Sequence, residues 1–308
     1  MKKQILLPGI LILFFAIVFT NCKKESSTTD PQTEVTAHSD DQSNFDNQID
    51  DVSNDADVAV ESSSSFTGRT DQPQTLICNA TVVVDTVSNP RTITITYNGN
   101  NCLNTASRTG TVVLSMAAGV HWKDAGAAIT ITVNNLHITR LSDNKSITIN
   151  GAKTYTNVSG GLLINLATLG TIIHTVTSNA ITVTFDNGSQ RVWHIAKQRT
   201  FTYNNGVVVT TTGTHTEGTT SGIAEWGVNR FGHTFATAIT TPMVIRQDCN
   251  FRLVSGQILH VLPNVSATAT FGLNANGEAT TCPGTGHYYM KVVFVGQNGN
   301  TITIIIPY

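Results

Sequence analysis

The groups in this 308-residue chain that could do chemistry are nine histidines, twenty acidic side chains, five cysteines and three tryptophans. Beyond residue 73 lie His121, His137, His174, His194, His215, His233, His260 and His287. No two of them fall at the short intervals of a local metal motif. There is no His-Glu-x-x-His, no Gly-x-Ser-x-Gly, no phosphate loop and no dinucleotide fingerprint. The same region holds only eight carboxylates, among them Asp124, Asp186, Glu217 and Glu225. Two carboxylates at the right separation would be enough for a glycosidase, but spacing along the chain marks no pair. Strand alternation puts His194, in Arg191-Val192-Trp193-His194-Ile195, on a sheet face without a chemical role of its own. No catalytic, metal or cofactor site is therefore expected.

The tryptophans and cysteines carry more. Trp122, Trp193 and Trp226 are the candidates for stacking on a ligand such as a sugar ring, against the commoner use of tryptophan as core packing. Cys78, Cys102, Cys249 and Cys282 are even in number, and without a Cys-x-x-Cys they suit disulfides better than a metal or redox site. Four cysteines allow three pairings. The turn signal Ser88-Asn89-Pro90 lies midway between Cys78 and Cys102, so a hairpin would bring those two together. Pro263-Asn264 does the same for Cys249 and Cys282. Cys78-Asn79 and Cys249-Asn250 open similar units, each running through a strand and a turn into Thr94-Ile95-Thr96-Tyr97 or Thr268-Ala269-Thr270-Phe271. A duplicated module is the expectation.

The elements that position these groups are strands. Thr92-Ile93-Thr94-Ile95-Thr96-Tyr97, Ile129-Thr130-Ile131-Thr132-Val133, Ser146-Ile147-Thr148-Ile149, Ile181-Thr182-Val183-Thr184-Phe185 and Thr301-Ile302-Thr303-Ile304 alternate with period two. That period marks half-buried strands with one wet face, hence an antiparallel sheet. Asn-Gly, the strongest short hairpin signal, occurs at 98–99, 150–151, 187–188, 205–206, 276–277 and 298–299. About sixteen strands and no useful helical period are expected after residue 73. The predicted fold is all-β, an antiparallel meander forming a sandwich or a strongly curved sheet. The irregular Thr-x-Thr spacing argues against a solenoid. Pro307 near the chain end argues against a terminal membrane-barrel strand, since it cannot donate to a ladder.

Residues 22–72 differ in kind. They hold twelve of the chain's twenty acidic residues and only three basic ones. Such a segment reads as a solvated tether. Phe45, Ile49, Val52 and Ala56 recur at helical spacing, with Ser43 as a candidate N-cap, and predict a short helix over 44–58 that docks on the β-domain. The body, 73–308, is mildly basic without a Lys/Arg cluster, which argues against a nucleic-acid partner.

The amino terminus supplies the resemblance. Lys2 and Lys3 precede an apolar run, Ile5 to Phe19, of signal-peptide length and too short to span a bilayer comfortably. It ends at Phe19-Thr20-Asn21-Cys22 and is followed by Lys23, Lys24 and Glu25. This resembles a bacterial lipobox, with Phe19 and Asn21 where Leu and a small residue are usual. The resemblance implies a signal peptide at 1–21 and lipidation of Cys22. The whole layout resembles the envelope lipoproteins of Bacteroidota, through the lipobox, the acidic tether and the Thr-rich strands with two Cys-bounded hairpins. That implies a protein held to the membrane by its lipid at the outer membrane, with the cell surface favoured over the periplasm. The expected function is a non-catalytic binding or adhesion module for a glycan or envelope protein. A structural or assembly component of the envelope is the alternative, and a polysaccharide- or peptide-directed hydrolase the third reading.

Overall fold

The computed structural model describes residues 31–68, 77–102, 104–282, 286–296 and 298–308. The apolar run 1–21 and Cys22 lie outside them. The described chain is a long helix, α1 (Pro31–Glu61), a helical turn α2 (Ser64–Thr67), then fifteen strands with a further α-helical turn, α3 (Leu166–Leu169), and two 3-10 turns at Leu163–Asn165 and Gln247–Cys249. The strands are β1 (Ala80–Asp85), β2 (Arg91–Asn100), β3 (Ala106–Met116), β4 (Ala127–Arg140), β5 (Ser146–Asn157), β6 (Thr171–Phe185), β7 (Gln190–Tyr203), β8 (Val207–Gly213), β9 (His215–Glu217), β10 (Thr220–Val228), β11 (Thr234–Arg246), β12 (Arg252–Leu262), β13 (Val265–Leu273), β14 (Tyr289–Gly296) and β15 (Thr301–Pro307).

All fifteen belong to one antiparallel sheet, a meander from β1 to β7 and from β10 to β15. Between β7 and β11 one lane is shared end to end. β8 fills the half beside Lys197–Tyr203, and β10 fills the half beside Val192–Ile195. The hairpin of β9 and the start of β10 leaves the lane where the two meet.

The sheet is strongly curved, and the cause is local. Register shifts recur at Thr109/Thr111, Val133/Leu136, Ala152/Lys153, Ser178/Ile181 and Ile223/Glu225, one strand after another. Each extra residue bends its strand and raises the local twist. Glycines serve this belt. At Gly110 (φ 118°) a Cβ would lie 2.4 Å from the Asn135 carbonyl oxygen, and at Gly151 (φ 141°) 2.8 Å from that of Ala180. Two predicted turns are corrected by the same finding. Asn98-Gly99 and Asn150-Gly151 lie inside β2 and β5, because glycine here admits bends within strands; Asn187-Gly188, Asn205-Gly206, Asn276-Gly277 and Asn298-Gly299 do fall in turns.

Inside the curve lies α1. Phe45, Ile49, Val52, Ala56, Ala59 and Val60 are buried against Ile93, Ile95, Leu114, Ile131, Ile149, Val183, Trp193 and Ile195, the inward residues of the alternating strands. The helix expected over 44–58 docks on the sheet and is longer than expected, running from Pro31 to Glu61, so that part of the acidic segment is helix and not tether. Its acidic residues made it read as solvated. Glu34, Asp41, Asp51 and Asp55 meet polar and basic side chains on the inner face of the sheet.

The helix runs from the pole that holds the β10–β11 turn to the pole that holds the β3–β4 loop. Glu34 meets Asn229 at the first, and the Phe66 carbonyl accepts from the Trp122 amide at the second. Cys78 and Cys102 close the β1–β2 hairpin, and Cys249 and Cys282 close β12–β13, with Cα atoms 5.2 Å apart in each pair. Asn79 and Asn250, next to the first cysteine of each pair, are both left-handed, at φ 50° and 57°. The likeness of the two units stops at the hairpin, since one forms the sheet's edge and the other lies inside it.

Candidate functional site

Two polar arrays stand out, one on each face of the sheet. The inner one is the seam between α1 and the strands. Arg108, 3% exposed at its side chain, reaches Asp55 at 2.7 Å and lies over the Tyr97 ring; the Tyr97 hydroxyl donates to the same carboxylate at 3.0 Å. Asn101 donates to Asp51. Lys153, 2% exposed, donates to the Ser53 hydroxyl and toward the Ile49 carbonyl. Gln42 bridges Arg191 and Glu225, and Glu225 also pairs with Lys197. Arg230 grips Asp41 with two nitrogens, and Glu34 accepts from Asn229 at 2.7 Å and lies 2.7 Å from His233 Nδ1. The acidic segment and the basic body noted in the sequence are thus two halves of one interface.

Burial shifts several groups along this seam. His174 lies among Trp122, Tyr155 and Phe201, with neither nitrogen hydrogen-bonded. Desolvation, then the Arg199 charge, holds its pKa at about 3. His260 donates to or accepts from Thr237 at 2.7 Å and is likewise held at about 3 by burial and then Arg191. His38, on α1, lies 4.2 Å from the His260 ring and is driven well below the usual imidazole range by burial, then by His260 and the nearby arginines. Asp57 is pushed up to about 6 by desolvation, against the pull of Arg199 and Lys153. These imidazoles are neutral at pH 7 and enclosed, which suits packing.

The hydrolase reading needs two carboxylates, or a Ser/His pair, in one cleft. A hollow of about 120 Å³ beside the start of α1 is lined by Asp41, Asp186, Lys145 and Arg230. Asp41 is committed there to the Arg230 fork, so the hollow is part of the ion-paired seam. The cluster Asp248, Cys249 and Cys282 has ligand-type atoms close together, but its two sulfurs are the disulfide pair.

The outer face carries threonines and one aromatic feature. Alternation turns Thr94, Thr96, Thr130 and Thr132 outward while Ile93, Ile95, Ile129 and Ile131 are buried. Trp226, on β10, is partly exposed on the same face. Its indole is parallel to two imidazoles, His194 on β7 at 5.3 Å between centroids and His215 on β9 at 4.0 Å. His194 is its direct cross-strand partner, and His215 is delivered by the hairpin that leaves the shared lane.

The three candidate stacking residues therefore divide. Trp122 (1% exposed) and Trp193 (0%) are corrected to core: Trp122 packs on Tyr155, and Trp193 meets Phe45 and the Arg191 guanidinium. Their neighbours Val120 and Ile195 share the inward side, and burial of a large ring outweighs its hydrogen-bonding tip. Trp226 keeps its candidacy, and gains His194 and His215. Sequence spacing could not have joined these three, since His215 arrives through an excursion between β8 and β10. Among the described residues no helix is long and apolar enough to cross a membrane. No family model matches this chain, and neither curated proteins nor solved structures give a match.

Proposed function

We propose that this chain is a non-catalytic, lipid-anchored envelope protein that binds a partner through the outer face of its curved sheet. The observation that carries the reading is the division of polar groups between the two faces. The buried ion pairs line the inner seam, where groups of α1 and the strands neutralise one another, as Asp55 does with Arg108 and Asp41 with Arg230. The outer face offers hydroxyls and the stacked His194, Trp226 and His215 rings, whose indole and imidazole edges suit a glycan or a polar protein surface. Cys22 supplies the lipid attachment, and with several acyl chains the anchoring is stable. Eight residues separate Cys22 from Pro31, where α1 starts, so a lipid on Cys22 would hold the sheet close to the membrane.

The alternative, an assembly component of the envelope, is favoured by one feature, the apolar edge strands β1 and β15, each paired on one side only among the described residues. Protease treatment of intact cells followed by blotting separates the two. Loss of the body, with an exposed control protein also cut, supports capture of an external ligand. Digestion only after the outer membrane is broken supports the assembly role, provided the purified body is cleavable.

A further inference from the structure

The sheet has two open edges. Among the described residues β1 pairs only with β2, and β15 only with β14. Natural sheets blunt such edges with charges, bulges, proline or a covering segment. Here both edge ladders are regular, six pairs for β1 and seven for β15 without a shift. No charged residue occurs from Ala80 to Val84 or from Thr301 to Ile306, and Pro307 comes only at the end.

The inward side chains of the edges are also uncovered. Val82 and Val84 pair across from Ile95 and Ile93, which are fully buried, yet are themselves 42% and 43% exposed. Ile302 and Ile304 pair across from Phe294 and Val292, and are 43% and 38% exposed. On the outer side Val83 (59%) and Ile305 (37%) match in the same way. Each edge thus presents the same motif: a ladder of six or seven residues, unpaired on its outer side among the described residues, β-branched on both faces and uncharged except for Asp85 at the end of β1.

We infer that β15 of one copy of this chain pairs with β1 of a second copy, continuing the sheet from molecule to molecule. The direction is set by the topology. The path from β1 to β15 has thirteen strands, every neighbour antiparallel, so both edge strands point the same way. Joining β15 to β1 with the concave sides aligned is therefore a parallel pairing, and every copy stands the same way up. Each copy still has one free edge afterwards, so the contact is heterologous and repeats into a ring or a filament.

Like-edge pairing, β15 with β15 in an antiparallel two-fold dimer, turns one copy upside down. This comparison rests on the anchor reading at Cys22. The start of α1 lies at one pole, and the 31-residue helix is about 46 Å long. The stretch from Cys22 to Pro31 spans at most about 30 Å. An inverted copy could not return its lipid to the membrane that holds its partner, whereas upright copies all can.

The test uses the full-length chain in detergent, with two edge variants, Val82→Lys and Ile304→Lys. Both positions are exposed enough for a lysine to reach water in the single molecule, and both would be buried by pairing. Sedimentation velocity over a hundredfold concentration range reads the size. The expected result is growth beyond the dimer for the parent chain, loss of growth for each variant alone, and a one-to-one dimer and nothing larger when the two are mixed. The mixture also shows that both variants are folded, because each must offer its intact edge. A parent chain that stays monomeric throughout overturns the inference, as does either variant alone dimerising as well as the parent, which would mean like-edge pairing. Intact mass of the same sample scores the anchor separately. An unlipidated Cys22 removes the orientation argument and leaves the mixing result to decide the pairing.

Discussion

Trp193 and His194 are neighbours in the chain and lie on opposite sides of the sheet. One residue of alternation sends the indole into the core against Phe45 and leaves the imidazole outside on Trp226. Burial therefore decides what each tryptophan is for. Trp193→Ala should cost about 3–5 kcal/mol in urea unfolding, through lost transfer and the cavity left behind. Trp226→Ala should cost less than about 1.5 kcal/mol and leave the unfolding curve nearly in place, yet abolish binding to whatever partner the outer face takes. A pull-down of the partner with both variants checks this: loss of capture by W226A at unchanged stability is the expected outcome. Equal destabilisation by the two would place Trp226 in the core instead.

At the scale of elements, α1 is held by two kinds of contact. Its second half, from Ile49 to Val60, combines apolar packing with polar contacts from Asp51, Ser53 and Asp55. Its first half is held mainly by charged and polar partners, with Phe45 as the large apolar anchor. The pair of Asp55 and Arg108 shows what this costs. Arg108 is enclosed over Tyr97, so removing the carboxylate leaves a buried cation without its counter-charge. Asp55→Asn should destabilise by about 3 kcal/mol. The double change Asp55→Asn with Arg108→Met should recover a large part of that loss, since the uncompensated charge goes with it. Denaturant midpoints of the two single variants and the double one measure the coupling; simple additivity would mean the pair is not a working contact. The helix itself was legible in part. Phe45, Ile49, Val52 and Ala56 showed its apolar stripe, but Glu34, His38, Asp41 and Gln42 gave no such signal. Polar residues declare a helix's docking face only when the basic residues that meet them are known.

The whole molecule folds an acidic rod into a basic groove, and its pH response follows. His174 and His260 are held at about 3 when folded, against an ordinary 6.5, and His38 is lowered further. The folded state then binds fewer protons than the unfolded one below pH 6.5. The stability these imidazoles allow is fully present above that pH and is lost as pH falls from 6.5 toward 3. Asp57 works the other way. Its pKa, raised to about 6 from 3.8, makes its charged form a cost above pH 6 that is relieved as pH falls to 3.8. Three imidazoles against one carboxyl give a net fall in stability on acidification. The urea midpoint should drop steadily between pH 6.5 and pH 4. Asp57→Asn should raise it at pH 7 and leave it unchanged at pH 4, and a rise of equal size at both would show that Asp57 does not titrate in this window.

The sequence by itself determined the all-β class, the alternation within β2, β4, β5, β6 and β15, the two Cys-closed hairpins and the segregation of charge. All of these are local: they depend on period, turn residues and composition, which a single chain carries openly. The tertiary structure alone decided which tryptophans are core, how far the docked helix extends through the acidic segment, and that His194, Trp226 and His215 form one patch. It also decided that the sheet ends in two matching apolar edges. Each of these depends on which strand lies beside which. The belt of bulges that curves the sheet is set by one-residue register shifts such as Val133/Leu136. A register shift leaves no mark on composition or period, so it becomes visible only once the strands are paired.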